Sequence, residues 1–449
     1  MYLKVFMSFC LSSWGFLFLS YGQNRIPVAI PETLDLQSTL TYALENNFSI
    51  LQAKQRIREQ EGLIIDVRSQ ALPNALLDAN YTHIDSGLSE TFGGIFDPNT
   101  QNWNIGLTIR QALYKGGSVK AALHAQELFE EAVLYDFKST INLAVQDVTT
   151  RYYDVLLARE CIGVQQQNIE LLKSQLQDAK NRFEVGAVSQ FEVLRAEVEL
   201  ANAQPHFIQA RNNFRLSIEE LRQAMGFLGL PKEVTRVPIF MGNLDFTPIE
   251  IPVAQALDTA KLHRPELQQL ELIVEAREQG IIIKRANRLP DVDLVGSYQH
   301  NKSTISSSFG DSLYGWTIGV QSSWAIFDGK STEGRVLHAK SLLEQARLDL
   351  GQRTLEIEVE VRRAVHDLQE ARELAQASVK VIDQAEESLR LANELYGAGH
   401  GTQLDVLQSQ VALTESRLNQ LQANHSYKVA EAGLAKALGN AIPYVDPEN

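Results

Sequence analysis

Cysteine, basic charge and long apolar runs are all scarce in this sequence of 449 residues. The only two cysteines are Cys10 and Cys161, so no internal disulfide is possible once an N-terminal leader is removed. Acidic residues outnumber basic ones by 55 to 41, which argues against nucleic-acid binding because phosphates need a basic excess. Beyond residue 22 no apolar run reaches the ~18 residues of a membrane helix, so none is expected.

The first 22 residues have the pattern of a secretory signal peptide. Lys4 provides a positive start, an apolar run follows over 5–19, and the small residues Ser20 and Gly22 precede the expected mature start at Gln23. A retained N-terminal anchor is the alternative interpretation. Cys10 lies too early in the run for a lipid-attachment site, so no lipid anchor is expected.

Catalytic and metal-binding patterns are also lacking. The nine histidines are scattered without paired spacing, and Cys161 lies within a helical pattern, where a packing role is favoured. We therefore expect no catalytic residue, no metal site and no cofactor, and the chain is not predicted to be an enzyme.

Proline is absent between Pro98 and Pro205 and again between Pro290 and Pro443. Inside these intervals apolar residues recur in steps of three and four, the pattern of a coiled-coil seam. The pattern predicts one long helix over about 118–183 and another over about 330–396, each about 100 Å long at a rise of ~1.5 Å per residue. Shorter helices are predicted over about 36–71, 190–225, 253–288 and 403–438, and Pro205 is expected to kink the second of these.

The chain also repeats itself. Trp103 and Trp316, Gly186 and Gly399, and Gly226 and Gly439 are each separated by 213 residues. We interpret this as two internal repeats. The predicted organisation is a signal peptide over 1–22, a first repeat over 23–226, a linker over 227–252, a second repeat over 253–440 and a tail over 441–449.

Two segments of each repeat alternate between apolar and polar residues, which predicts four half-apolar strands over about 75–85, 102–113, 291–301 and 315–327. A small soluble sheet resting on the helices is one interpretation. The other is a set of membrane strands, since ~9–11 residues span a bilayer and aromatic residues mark its interfaces. The candidate girdle residues are Tyr81, Trp103, Tyr298, Trp316 and Trp324. Four strands cannot close a barrel, so closure would require further copies of the chain: two give eight strands and three give twelve with a lumen.

Each long helix is predicted to end in a tight turn. Gly186 and Gly399 suit the left-handed conformation that ends helices. Ser189 with Glu192, and Thr402 with Asp405, have the spacing of capping boxes or close relatives. Each long helix therefore returns as an antiparallel hairpin.

The turn sequences resemble a motif of the TolC-type outer-membrane efflux family, and the resemblance covers essentially all of residues 34–440. The first copy of the motif consists of Arg182, Phe183, Gly186, Ser189, Glu192, Val193, Leu194 and Ala196. The second keeps Tyr396, Gly399, Thr402, Asp405, Val406 and Leu407, with Leu395 in place of the arginine.

The resemblance implies an α+β, mainly helical fold and a homotrimer. Its 12-stranded β-barrel in the outer membrane would continue into a periplasmic α-helical barrel. It implies a passive exit channel of a tripartite efflux or type I secretion system, with a periplasmic adaptor and an inner-membrane transporter as partners. The implied adaptor-docking residues are Arg182, Gly186, Ser189, Gly399 and Thr402, and the implied periplasmic gate residues are Glu192, Tyr396 and Asp405.

Two departures from the family matter for the gate. Gly401 stands where some relatives carry an arginine, and Gln408 stands where some carry a second acidic ring. The capping residues also have a purely structural interpretation. For the whole chain, the alternative function is a secreted periplasmic coiled-coil scaffold that never enters a membrane.

Overall fold

The computed structural model describes residues 32–85, 101–227, 238–245, 247–302 and 308–439. The signal peptide, the tail over 441–449 and residues 228–237 and 246 of the linker over 227–252 lie outside the described residues.

The first half of the chain contains four helices: α1 (Leu36–Asn46), α2 (Phe48–Ser69), α3 (Ser118–Glu184) and α4 (Gln190–Met225). The second half contains α5 (Val253–His263), α6 (Pro265–Arg285), α7 (Ser331–Gly397) and α8 (Gln403–Ala437). Each of the long helices α3 and α7 runs through 67 residues without interruption. Helix α4 is also continuous through Pro205.

The prediction of single helices over 36–71 and 253–288 was wrong, because each is divided in two. At the first break Asn47 leaves the helical region with ψ 128°, and its side chain accepts hydrogen bonds from the N–H groups of Ser49 and Ile50. At the second break Arg264 has ψ 114° and is followed by Pro265 at the first position of α6, where proline lacks only a donor that would be unpaired anyway.

Four antiparallel strands form one sheet: β2 (Asn74–His83), β3 (Gln101–Lys115), β5 (Asp291–Lys302) and β6 (Ser312–Ser323). Their order is β2-β3-β5-β6, so the two halves of the chain join between β3 and β5. A β-bulge lies between Ala112 and Tyr114 of β3. The outer strands β2 and β6 have one edge each without a strand partner among the described residues.

The two faces of this sheet differ in chemistry. Leu107 pairs with Tyr298, which pairs in turn with Trp316, and directly opposite residues project to the same face. On this face Trp316 is 74% exposed and Ile318 is 65% exposed. The opposite face carries polar side chains, including Asp78, Asn80, Asn104, Thr108, Ser297 and Thr317. The apolar face has no covering layer among the described residues.

A second, two-stranded parallel sheet pairs β1 (Thr33–Leu34) with β4 (Ile239–Phe240). The Tyr152 hydroxyl of α3 donates to the carbonyl oxygens of Leu34 and Met241. In the other half, the buried Tyr427 of α8 donates to the Thr247 carbonyl at 2.9 Å. Two buried tyrosines therefore fasten the segment that joins the halves to the helices beneath it.

The long helices form a layer. Towards the sheet α3 packs against α2 and α6, while towards the turns it packs against α4 and α8, and α7 packs on α8. The order near the turns is thus α4-α3-α8-α7, with α4 and α7 at the edges.

An ionic cluster ties α5, α6, α7 and α8 together. Arg264 is only 1% exposed, and its guanidinium group donates to Glu266 at 2.8 Å and also to Glu360. Arg353 of α7 reaches Glu360 at 3.0 Å, and Lys436 of α8 reaches it at 3.6 Å. Because the surrounding cations outweigh the effect of burial, the pKa of Glu360 lies below its ordinary value.

Candidate functional site

The two turns that join α3 to α4 and α7 to α8 have nearly the same backbone. Gly186 has φ 74° and Gly399 has φ 78°, a left-handed conformation that is strained for side chains with a Cβ. The N–H of Ala187 donates to the carbonyl of Arg182 at 2.8 Å, and that of His400 donates to the carbonyl of Leu395 at 2.9 Å. These are Schellman-type helix ends, as the position of the glycines predicted.

The following helices begin differently from one another. At α8 the Thr402 N–H donates to the Asp405 carboxylate at 2.8 Å, and the Asp405 N–H donates to the Thr402 hydroxyl at 3.3 Å, which completes a capping box. At α4 Ser189 makes no side-chain cap hydrogen bond. The expected capping box of Ser189 and Glu192 is therefore absent.

Glu192 contacts the other hairpin instead. Its carboxylate accepts a hydrogen bond from the Tyr396 hydroxyl of α7 at 3.2 Å. The guanidinium group of Arg182 lies over the Tyr396 ring, 4.5 Å from its centroid, and is held by Asp178 at 2.8 Å. We call Arg182, Glu192 and Tyr396 the tip clamp, because two residues of the first hairpin hold one residue of the second.

The tip clamp changes the acidity of its phenol. Burial, followed by the negative charge of Glu192, raises the pKa of Tyr396 above its ordinary value of 10.0. The phenol is therefore protonated at neutral pH and remains a donor to Glu192.

Asp405 belongs to a separate cluster. The hydroxyl and N–H of Thr402 donate to its carboxylate and lower the pKa of Asp405 below its ordinary value of 3.8. The carboxylate is exposed and charged at neutral pH. Of the three predicted gate residues, Glu192 and Tyr396 are in direct contact, while Asp405 is bound within its own turn.

Gly401 is crowded. A Cβ atom added there would lie 3.0 Å from the Tyr396 backbone nitrogen and 3.1 Å from the Leu395 Cβ. A side chain at this position would require its neighbours in the turn to move by a few tenths of an ångström. Gln408 lies exposed on α8.

The candidate girdle residues lie at different heights on the sheet. Tyr81 is directly opposite Trp103, and Tyr298 is directly opposite Trp316, four residues further along the strands. Trp324 was predicted within a strand but lies one residue beyond the end of β6. Its indole N–H donates to the Arg288 carbonyl at 3.0 Å, which places Trp324 at the junction of the sheet with the helices.

Within the described residues, no group of three or more His, Cys, Asp or Glu side chains is placed to hold a metal ion. No helix in the described part of the chain is long and apolar enough to cross a membrane. Cys161 is half-buried in α3, and burial raises the pKa of its thiol.

The sequence pattern missed a row of polar contacts between α3 and α8. The Gln410 amide donates to the Asn168 side chain at 2.9 Å and accepts from the Gln175 amide. Thr414 donates to the same Asn168 oxygen at 3.2 Å. The only sequence signal is the seven-residue spacing of Asn168 and Gln175, which places both on one helix face.

These features agree with the comparison with known proteins. Residues 39–227 and 256–440 match the family described as outer membrane efflux protein. The chain belongs to this family. It is therefore an outer-membrane channel of efflux or secretion that extends into the periplasm, and it is not an enzyme. Members of the family work with an adaptor and an inner-membrane pump.

Individual relatives agree over nearly the whole chain. The outer membrane efflux protein BepC of Brucella suis is 24% identical over 92% of this chain and 86% of its own length. The outer membrane protein TolC of Escherichia coli is 23% identical over 84% of this chain and 76% of its own. The solved Campylobacter jejuni CmeC outer membrane channel has a TM-score of 0.78 at 17% identity, covering 90% of this chain and 86% of that one, which shows the same fold.

Proposed function

We propose that three copies of this chain form one continuous duct. It would serve as the passive exit channel of a tripartite efflux or type I secretion system. The observation that carries the proposal is the sheet, whose apolar face and two outer edges have no partner among the described residues. Unpaired backbone groups in hydrocarbon cost several kcal/mol each, on the order of 2–7. The edges of β2 and β6 must therefore be paired in a membrane.

Pairing β6 of one copy with β2 of the next leaves no edge exposed. Eight strands is about the smallest membrane barrel and is filled by side chains, whereas about twelve leave a lumen. Three copies of four strands supply twelve. The apolar face with Tyr298 and Trp316 would meet lipid, and the polar face with Asp78 and Thr317 would line water.

The edge helices support the same assembly. Helix α4 buries a seam of small residues against α3, namely Ala196, Ala203 and Ala210. It carries a second apolar row, whose exposed members follow one another at intervals of three, four, ten and eight residues, each a sum of threes and fours: Phe191, Leu194, Val198, Ile208 and Leu216. Helix α7 has a matching exposed row with Leu374, Val381, Leu391 and Leu395. Rows of this spacing pack against a further helix. We therefore propose that the row on α4 of one copy packs against the row on α7 of the neighbouring copy.

The proposed repeats are supported by one contact made in both halves. A Cβ added to Gly226 would lie 2.3 Å from the Asn46 carbonyl oxygen, and one added to Gly439 would lie 2.6 Å from the His263 carbonyl oxygen. In each half, the glycine that ends the return helix rests on the break between the two short helices.

We assign the periplasmic mouth to the helix turns. In a trimer, three tip clamps would hold each second hairpin against the first, and Glu192 and Asp405 would place rings of negative charge around the opening. Charged rings control ion passage in channels. The adaptor would dock on the outer surface of the turns, around Arg182, Gly186, Ser189, Gly399 and Thr402.

Fractionation and electrophoresis test the assembly. The proposal requires an outer-membrane protein that migrates as a trimer without heating and as a monomer after boiling, and that conducts ions in planar bilayers. A stable monomer in buffer without detergent, found in the soluble periplasmic fraction, would support the scaffold alternative instead.

A further inference from the structure

The interface between the two hairpins differs from the interfaces inside them. Within the first hairpin, α3 and α4 bury alanines such as Ala179, Ala196 and Ala203. Within the second, α7 buries Ala385 and Ala392 towards the turn. Between the hairpins, where α3 meets α8, Leu172 and Leu407 share a small apolar cluster, and beside it the buried Gln410 is hydrogen-bonded to amide side chains of α3. The polar contacts therefore lie at the boundary between the two hairpins, where one hairpin can move relative to the other.

The residues Asn168, Gln175, Gln410 and Thr414 form what we call the amide ladder. Gln410 is its centre and is only 1% exposed. Its oxygen accepts from the Gln175 amide, and its nitrogen donates to the Asn168 side chain at 2.9 Å and to the Asn168 carbonyl at 3.4 Å. Both hydrogen-bonding ends of Gln410 are therefore used to join α8 to α3.

One member of the ladder is not fully paired. The side-chain oxygen of Gln175 is buried and has no hydrogen-bond partner among the described residues, and the same is true of Gln403, seven residues before Gln410 on α8. A buried acceptor without a partner destabilises the arrangement that buries it. Water that enters between α3 and α8 would donate hydrogen bonds to these oxygens. This offsets part of the free energy needed to separate the hairpins.

Water has a route to this position. A cleft of about 300 Å³ lies beside the ladder and is lined by residues of α3, α4 and α8, including Asn168, Glu199, His206, Gln410 and Thr414. Amides can exchange their mutual hydrogen bonds for bonds to water at low net cost. An apolar interface cannot, because its separation exposes apolar surface.

We propose that Gln410 is a positioning residue for channel opening, which keeps the interface between the hairpins separable by water. The inference rests on the proposed channel function and adds a residue outside the tip clamp. Gln410 touches no transported solute in this role. It acts through Asn168 and Gln175, and it sets how readily α8 leaves α3 once the tip clamp is released.

Replacing Gln175 and Gln410 by leucine together tests this directly, because neither amide of the pair is then left without its partner. In planar bilayers, the trimer with both replacements is expected to spend a smaller fraction of time open than the unaltered channel, by about fivefold. Gln410→Asn retains an amide and is expected to restore most of the open fraction. Gln177→Leu is the matched control, because Gln177 lies on the exposed face of α3, two residues from Gln175, and it should leave the open fraction unchanged.

The readout separates gating from packing. A thermal stability raised by the double leucine replacement together with an unchanged open fraction would overturn the inference, since the ladder would then only pack. If that variant does not assemble, Thr414→Val removes one hydroxyl of the ladder while the Asn168 oxygen still accepts from Gln410, and an unchanged open fraction there overturns the inference equally. An unaltered protein that never conducts would instead refute the channel proposal itself.

Discussion

The guanidinium group of Arg182 lies 4.5 Å from the centre of the Tyr396 ring, although the two residues belong to different hairpins. The contact gives the ring a cation on its face, while Glu192 accepts from its hydroxyl. Cation–π contacts at partly exposed sites contribute about 0.5–1 kcal/mol. Tyr396 is therefore bound through two kinds of contact, and its removal should release the second hairpin at the tip.

Tyr396→Phe removes only the hydroxyl. The ring remains beneath Arg182, so the loss is one hydrogen bond to a carboxylate at a half-buried site, about 0.5–1.5 kcal/mol. We expect a roughly two- to tenfold rise in the ratio of open to closed channel, measured as open fraction in planar bilayers. Tyr135→Phe on α3, far from the turns, is the control. Equal open fractions in all three proteins would show that the hydroxyl does not restrain opening.

Asp405→Asn removes the negative charge that Asp405 adds to the proposed charged ring at the channel opening, while the residue can still cap α8. Asparagine still accepts a hydrogen bond at the start of α8, so the turn should be retained while the negative charge is lost. We expect single-channel conductance and preference for cations to fall. Because Thr402 holds the pKa of Asp405 below 3.8, the conductance of the unaltered channel should resist acid until the pH falls below that value. An identical conductance in Asp405→Asn would remove this residue from the ion path.

The ionic cluster predicts a dependence of stability on pH. The pKa of Glu360 is lower in the folded chain than its ordinary value of 4.5, so its stabilising contribution is complete above pH 4.5 and is lost as the pH falls through the lower folded value. Glu360→Gln should cost about 1–2 kcal/mol at neutral pH and show a weaker acid dependence. Thermal unfolding above and below pH 4.5 checks both effects.

Glu344→Gln is the control for that experiment. Glu344 is exposed on the same helix and lies 3.9 Å from Arg347, and exposed pairs of this kind contribute about 0–1 kcal/mol. If Glu344→Gln and Glu360→Gln showed the same change at both pH values, the cluster around Arg264 would have no special part in stability.

The exposed row on α4 predicts where neighbouring copies meet. Val198→Asp places a charge in the middle of that row without touching α3, so the chain should fold but the trimer should be lost. Gln177→Asp on the exposed face of α3, which lies between α4 and α8 and is not an edge helix, should leave the trimer intact. Electrophoresis of unheated samples distinguishes the two. Trimers of equal heat resistance in both variants would place the interface elsewhere.

Local signals in the sequence located much of this architecture. The turns follow from Gly186 and Gly399, because a left-handed helix end is a local property of glycine. The long helices follow from the apolar spacing and the lack of proline. The alternation around Trp103 and Trp316 likewise placed the strands to within a few residues.

What the sequence did not reveal depends on distant partners. The break at Asn47 is completed by Gly226 and by the Ala224 carbonyl, which accepts from the Asn47 amide at 2.7 Å. Ser189 lacks its capping box, whereas Glu192 bonds with Tyr396, 204 positions away in the chain. Glutamine is mostly exposed in proteins, so the residue type at position 410 does not predict burial. Gln410 is buried by the docking of α8 on α3.

The uninterrupted length of α3 and α7 has a mechanical consequence. At ~1.5 Å per residue, each is a lever about 100 Å long from the sheet to its turn. A lateral excursion of about 5 Å at the far end then corresponds to an inclination of only about 3° at the base, from the same rise. The periplasmic opening of the proposed channel can therefore widen while the strands, and the segment held by Tyr152 and Tyr427, hardly move.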